Sequence, residues 1–347
     1  MSSFLIFNFF LIFILTVLFV VVFTLLIKYI AVKFNIVDKP NQERKFHKKN
    51  IPLLGGIAIF LAFFIALYIF QDKLLIGDLT IKHWIGFFIG GVWLMIGGFL
   101  DDKYNLPPSY QIIFPLLAII SVISGGVGIE KITNPFGGFI NIGFLSSILI
   151  AFWLLGMMYT TKLLDGLDGL VSGTTAIGAL IIFLFTMTTK YYQPDIGLAS
   201  LILCASCVGF LFFNFCPAKI FLGEGGSLFL GYALGVLAII SGGKIAIALL
   251  VMGIPILDIV WTIIRRMIVG KNPFKFADRK HLHFRLLDLG LSVRQTVLVY
   301  YFFATIFGLS AIFLQSKGKL YALIILLAIM FLTIISLTFL DRKKKIT

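Results

Sequence analysis

Long apolar runs succeed one another along almost the whole chain, separated by short polar stretches. The first covers residues 4–31 and holds no basic residue before Lys28. Ten more follow, at about 54–70, 84–100, 111–126, 145–164, 169–189, 196–214, 227–241, 244–266, 294–314 and 320–340. Most approach the ~20 residues a helix needs to cross ~30 Å of hydrocarbon. The pattern predicts an all-α protein, a polytopic membrane helix bundle with about eleven transmembrane helices in one domain, residues 1–347. A signal peptide would have a basic start and a shorter core, so the first run is read as a retained span.

Composition narrows this further. Hydrophobic residues make up 60% of the 347 and charged residues 13%, about half the charge of a soluble domain. The net charge of +14 does not point to nucleic acid, because the basic residues sit between spans. They fit orientation in the bilayer and attraction of anionic lipids or phosphorylated substrates. Of 29 Lys and Arg, 22 fall from Lys28 to Lys49, at Lys103, Lys162 and Lys219, from Arg265 to Arg294, or in the C-terminal tail, that is in or beside loops 32–53, 101–110, 162–170, 214–227 and 265–293. The positive-inside rule puts these in the cytoplasm. The N-terminus is then outside, the C-terminus is cytoplasmic, and the membrane is the cell (inner, cytoplasmic) membrane. Cys204 and Cys207 form a C-x-x-C inside an apolar run, with no histidine or second pair nearby, and read as small apolar helix residues. Of the external loops, 128–143 carries turn chemistry for a small hairpin.

The five cytoplasmic loops hold nearly all the unusual polar residues. Asp101-Asp102 ends an apolar run; a solvated helix end is the plain alternative. Acids at a helix C-terminus oppose the macrodipole, so something cationic should offset them, and Mg²⁺ is the hard, oxygen-seeking candidate. Asp165-Gly-Leu-Asp168-Gly places two acids at i and i+3, on one face of a helix. Gly223-Glu224-Gly225-Gly226-Ser227 opens a span, offering free backbone N–H groups as a phosphate cradle, with Lys219 as a point charge for the same anion. Asp258 lies inside a span after Pro255, either functional or paired with a basic residue. His281-x-His283 sits in the most basic loop, where it would ligate metal, shuttle protons or contact phosphate. His47, among Arg44, Lys45 and Lys49, is in a similar setting. Together these suit Mg²⁺-assisted phosphoryl chemistry on a lipid substrate.

Taken in order, these motifs resemble the polyprenyl-phosphate N-acetylhexosamine-1-phosphate transferases, over essentially the whole chain. Pro40 to Gly56 looks like the family's first loop and Asp101-Asp102 like its acidic pair. Asp165-Gly-x-Asp168-Gly looks like its Asp-Gly motif, and Asn214-x-x-Pro-Ala-Lys219-x-Phe221-x-Gly223 like its nucleotide-side loop. Pro255-x-x-Asp258 and His281-x-His283-x-Arg285 resemble the branch that handles GlcNAc for wall teichoic acid, lipopolysaccharide O-antigen or similar cell-wall and envelope glycans. The resemblance implies transfer of a sugar 1-phosphate, most simply GlcNAc-1-phosphate, from a UDP-sugar to a polyprenyl phosphate such as undecaprenyl phosphate. Asp101, Asp102, Asp165, Asp168 and His283 would be catalytic. Lys49, Asn214, Lys219, Phe221, His281 and Arg285 would bind substrate. Asp102, Asp165 and Glu224 would hold Mg²⁺, with Mn²⁺ as the alternative. The peptidoglycan-precursor phospho-MurNAc-pentapeptide transferases and a non-catalytic lipid-phosphate binder are the competing readings. Three positions depart from the family pattern: Lys162 stands for Asn, Glu224 for Asp and Phe284 for His. A lysine beside Asp165 and Asp168 either neutralises charge that Mg²⁺ needs or pairs with a substrate phosphate. Gly86-x-x-x-Gly90 and Gly231-x-x-x-Gly235 allow close helix packing, within a subunit or in a homodimer.

Overall fold

The structure, a computed structural model, describes residues 3–40, 49–74, 79–129, 131–134, 136–188, 192–241, 245–270 and 281–344. Arg44, Lys45 and His47 lie outside the described residues. In chain order the elements are α1 (Ser3–Lys33), β1 (Val37–Asp38), β2 (Ile51–Pro52), α2 (Gly55–Ile69), α3 (Gln71–Leu74), α4 (Ile81–Tyr104), α5 (Pro108–Gln111) and α6 (Ile113–Ser124). Then come β3 (Lys131–Thr133), β4 (Phe139–Asn141), α7 (Ser146–Leu164), α8 (Leu170–Thr186), α9 (Pro194–Asn214) and α10 (Gly223–Ile240). The chain closes with α11 (Ile245–Val251), α12 (Gly253–Ile268), α13 (Leu282–Asp288), α14 (Val293–Phe313) and α15 (Ser316–Lys344).

All eleven apolar runs are helical, and the chain is an all-α membrane protein. Among the described residues, seven helices are long and apolar enough to cross a membrane, or eight if the bent pair α11–α12 is one span. The apolar helices over Gly55–Ile69, Pro108–Ser124 and Leu170–Thr186 are shorter. The run at 244–266 is not the straight span its apolar pattern predicts. It breaks at Met252, where α11 and α12 meet at 78°. Pro255 has no N–H for the carbonyl four residues back, and its ring crowds that turn. β3 and β4 form the expected hairpin in loop 128–143, Ile132 facing Ile140. The first loop holds a small ribbon that was not expected, β1 paired antiparallel to β2.

α2, α4 and α10 form the centre. Their backbones touch at glycines. A Cβ on Gly98 of α4 would fall on the backbone of Gly225, and one on Gly56 would fall on Gly226, at the start of α10. Farther along the same helices aromatic rings interlock. Phe60 meets Phe229 at 5.4 Å between centroids, Phe63 meets Phe87 at 5.7 Å, and Phe87 meets Tyr232 at 5.4 Å. The buried Tyr232 hydroxyl donates to the Phe87 carbonyl at 3.1 Å. Such pairs add to the stabilisation that burial already supplies. Both Gly-x-x-x-Gly stripes are used inside the subunit. A Cβ on Gly86 would lie 2.6 Å from the Ser121 carbonyl oxygen of α6, and one on Gly235 2.9 Å from Leu154 of α7. Cys204 and Cys207 are buried and unbridged, as expected.

Gly98→Ala is therefore expected to force α4 from α10 and cost about 2 kcal/mol or more, in the range of core overpacking. Gly156→Ala, at a helical position with nothing within 4 Å, should be neutral or mildly stabilising. Thermal melting of the two variants in detergent checks this; equal midpoints would remove the close-contact argument.

Candidate functional site

The glycine contacts at the head of α10 bring two opposed helix ends together. Asp101 and Asp102 lie in the last turn of α4, where their charge opposes that helix's dipole. The Asp102 carboxylate meets the N-terminus of α10 instead: Oδ1 and Oδ2 accept the Glu224 N–H at 3.1 and 3.3 Å. A positive helix end thus offsets the acid. This also changes the expectation of a phosphate cradle there, because the Glu224 N–H is committed to Asp102 and the next two glycines are covered by Gly98 and Gly56. Gly223 has φ +74 and abuts Asp102, so a side chain would be both strained and obstructed there.

The remaining acids come from the turn after α7. Asp165 caps that helix, and Gly169 follows with φ +80, opening α8. The two aspartates are not on one helix face, because α7 ends at Leu164 and the chain turns between them. Asp168 Oδ2 accepts the Ala218 N–H at 2.8 Å. Asp165 is open to solvent yet has protein packed around it. That surrounding protein, then the carboxylates of Glu224, Asp102 and Asp168, push its pKa up to about 8. Asp38 of β1 and Asp101 also act electrostatically on this group, Asp38 on Asp102 and Asp101 on Glu224.

Lys162, in the last turn of α7, joins the cluster. Its Nζ forms an ion pair with Glu224 Oε1 and donates to Gln111 Oε1 at 2.8 Å. Gln111 Nε2 in turn donates to Asp101 Oδ1 at 3.0 Å and to the Leu106 carbonyl at 2.8 Å. Sequence reasoning missed Gln111 and Asp38. The only signal for Gln111 was a lone amide after Pro107-Pro108.

The other predicted residues fall around this core. Phe221 donates its N–H to the Pro52 carbonyl at 2.9 Å, and Gly55 and Gly56 donate to the carbonyls of Phe221 and Leu222 at 2.9 and 2.8 Å. The first loop and the loop before α10 are thus stitched together. Asn214 is buried and spent on this stitching. Its Oδ1 accepts from Ser172 Oγ at 2.9 Å and its Nδ2 donates to the Ile220 carbonyl at 3.1 Å, so its amide braces the loop. Lys49 and Lys219 are exposed, and Arg285 is half-buried on α13. Asp258 binds α13: its Oδ2 lies 2.9 Å from His281 Nδ1 and its Oδ1 accepts the Leu282 N–H at 2.9 Å. Its partner is therefore a histidine and a helix N-terminus. His283 is 1% exposed, and both its ring nitrogens are without a hydrogen-bond partner among the described residues. Its Nε2 faces the turn after α7, where a Cβ on Gly166 would lie 2.7 Å away.

All five polar loops thus meet at one site. An apolar crevice lined by Leu54, Ile57, Met95, Phe99 and Leu222 reaches Asp102. Asp102, Asp165 and Glu224 are hard oxygen donors of the kind Mg²⁺ takes. They are not gathered as a ready-made cage: among the described residues no three His, Cys, Asp or Glu side chains converge on a common point.

Residues 84–242 match the family model described as glycosyl transferase family 4. The probable undecaprenyl-phosphate N-acetylglucosaminyl 1-phosphate transferase of Bacillus subtilis is 36% identical over 332 residues, covering 93% of this chain and 90% of that protein. The undecaprenyl-phosphate alpha-N-acetylglucosaminyl 1-phosphate transferase of Thermotoga maritima is 32% identical, over 80% of this chain and 82% of that protein. A phospho-N-acetylmuramoyl-pentapeptide-transferase of Oceanobacillus iheyensis is 30% identical, over 80% of this chain and 87% of that protein.

Burial lowers the His283 pKa to about 4, with Asp258 pulling it up and His281 pushing it down. The imidazole is therefore neutral at pH 7. The unfolded chain takes up this proton near pH 6.5 and the folded chain only near pH 4, so stability should fall as pH drops across that window. The loss is on the order of 3 kcal/mol for a shift of this size. His283→Gln should flatten that part of the stability–pH curve in detergent; an unchanged slope would mean that the proton goes elsewhere.

Proposed function

The chain belongs to glycosyl transferase family 4, on the branch of the polyprenyl-phosphate GlcNAc-1-phosphate transferases, and from that premise we propose that it transfers GlcNAc-1-phosphate from UDP-GlcNAc to a polyprenyl phosphate. The products are polyprenyl-diphosphate-GlcNAc and UMP, in the first membrane step of an envelope glycan pathway. The observation that carries this reading is that Asp101, Asp102, Asp165 and Glu224 lie near enough to act electrostatically on one another, beside an apolar crevice that ends at Asp102.

The apolar walls of the crevice lead to Asp102, so a lipid lying against that side of the protein would bring its phosphate to the acidic pair. A phosphate oxygen of the lipid attacks the β-phosphorus of the UDP-sugar. One P–O bond forms, the bond to the UMP oxygen breaks, and UMP leaves with the electron pair. A phosphate monoester is largely ionised at pH 7, so the attacking oxygen needs no strong base. Asp101 and Asp102 then orient it rather than deprotonate it. Mg²⁺ or Mn²⁺, held by Asp102, Asp165 and Glu224, would neutralise charge on the diphosphate. Lys49, Lys219 and Arg285 are cations for the same phosphates. The neutral, buried His283 has an N–H to donate to a phosphate oxygen beside Gly166, which supports a role at the reacting group. Asp168 and Asn214 shape the loop that would take the uridine, with Phe221 at its edge.

The reading extends to the whole chain as one membrane domain. Eleven spans, with the shorter helices and the bent pair α11–α12 each counted once, put the N-terminus outside and the site in the cytoplasm. The loop distribution of Lys and Arg supports that orientation.

Purified protein given undecaprenyl phosphate, Mg²⁺ and UDP-GlcNAc should release UMP only when all three are present. Asp101→Asn and Asp102→Asn should each lower the rate by roughly a hundredfold or more, the size expected when a group aimed at the reacting phosphate is lost. Release with UDP-MurNAc-pentapeptide but not UDP-GlcNAc would move the chain to the peptidoglycan branch. Silence with every sugar nucleotide would leave a non-catalytic lipid-phosphate binder.

A further inference from the structure

Two of the three positions that depart from the family pattern, Lys162 and Glu224, touch each other. Both side chains are largely withdrawn from water, 20% and 16% exposed, so this is not the screened surface pair that contributes little. Lys162 is held from three sides. Its ammonium pairs with Glu224, donates to Gln111 at 2.8 Å and lies 5.6 Å from the centroid of the Tyr159 ring. Gln111 passes the hydrogen-bond chain on to Asp101 at 3.0 Å. Glu224, Lys162, Gln111 and Asp101 thus form one connected line across the heads of α10, α7, α5 and α4.

This line lies inside the carboxylate cluster. Glu224 feels Asp101, and Asp165 feels Glu224, Asp102 and Asp168. Side by side, so many acids repel one another, and a positive charge among them relieves that repulsion. A divalent ion and an ammonium compete for this place, because both need the Glu224 carboxylate and like charges repel at contact distance.

We propose that Lys162 is a resident cation of the carboxylate cluster, and that a divalent cation gains Glu224 only by displacing the Lys162 ammonium. The proposal rests on the reading that this cluster takes a divalent cation. Lys162 is then a positioning residue that sets metal affinity. The metal-free protein is held together at this site by the lysine, and metal binding is an exchange of one cation for another.

The test titrates Mn²⁺ into the purified full chain in detergent without substrates, following free Mn²⁺ by electron paramagnetic resonance. Lys162→Met and Lys162→Gln remove the charge and keep most of the side-chain length. Each should bind Mn²⁺ at least tenfold more tightly than the wild type, and each should melt lower without metal and recover with it. Lys162→Arg keeps the charge and should stay within about threefold of the wild type, while Glu224→Gln should bind more weakly. Neutral variants that bind Mn²⁺ no more tightly than the wild type would overturn the proposal, as would a Lys162→Arg variant that tightens as much as they do. The wild type gives an independent reading should the neutral variants not fold. Acylation of Lys162 by a small amine-reactive reagent, followed by peptide mass spectrometry, should speed up at least fivefold on Mn²⁺ saturation, and an unchanged rate overturns the displacement. UMP release is scored separately. Transfer without tightening sinks this proposal and leaves the transferase standing; tightening without transfer does the reverse.

Discussion

The site depends on one constraint: three helix backbones approach so closely that only glycine fits between them. Gly56, Gly98, Gly225 and Gly226 leave no room for a Cβ, and the rings of Phe60, Phe63, Phe87, Phe229 and Tyr232 lock the same helices farther along. Without an inward hydrophobic drive of the kind water supplies, membrane helices associate through such close packing. Here the packing has an electrostatic result. It sets the N-terminus of α10 against the C-terminus of α4 and delivers the Glu224 N–H to Asp102. An acid unfavourable on its own helix becomes favourable on its neighbour.

The same logic explains how so many carboxylates are kept at the edge of a membrane protein, where an uncompensated acid is costly. Four of the five are answered, each by a different device. Asp102 has a helix N-terminus, Asp101 a glutamine amide, Asp168 the backbone of the loop it folds, and Glu224 a lysine. Asp165 has no such partner among the described residues and is open to solvent, and its neighbours push it toward the protonated form at neutral pH. Four acids therefore serve partly as structure. The fifth has its charge least settled by the protein and is the natural place for an incoming cation or cationic group to act.

The apolar periodicity made the helices legible, because a run of about 20 apolar residues has few other stable forms in a bilayer. It could not show the break at Met252, since a bent pair and a straight span have the same hydropathy; only Pro255 hinted at it. The motif acids were legible because acids are conspicuous at the ends of apolar runs. Their geometry was not. Asp165 and Asp168 have helical spacing, yet the helix ends at Leu164 and the chain turns between them. The Gly-rich start of α10 has the composition of an anion cradle, but the glycines serve helix contact and the free N–H goes to Asp102. Gln111, Asp38 and the Lys162–Glu224 contact depend on pairings between residues distant in sequence, which no local pattern encodes.

Asp258 shows how the bent pair matters to the chemistry. A straight helix from Ile245 to Ile268 would carry Asp258 along a single axis; the 78° turn instead leaves it where it can hold α13 by both carboxylate oxygens. α13 then presents His283 two residues beyond His281, with the two rings nearly parallel at 5.7 Å. The Nε2 of His283 rests against Gly166, next to Asp165, so the placement of the imidazole is fixed from both sides. Gly166 is required there because any side chain would strike the ring. The second Asp-Gly pair has a different basis, the left-handed backbone at Gly169. One short motif thus uses its two glycines for separate reasons, one for contact and one for conformation, and both serve to fix where the acids stand.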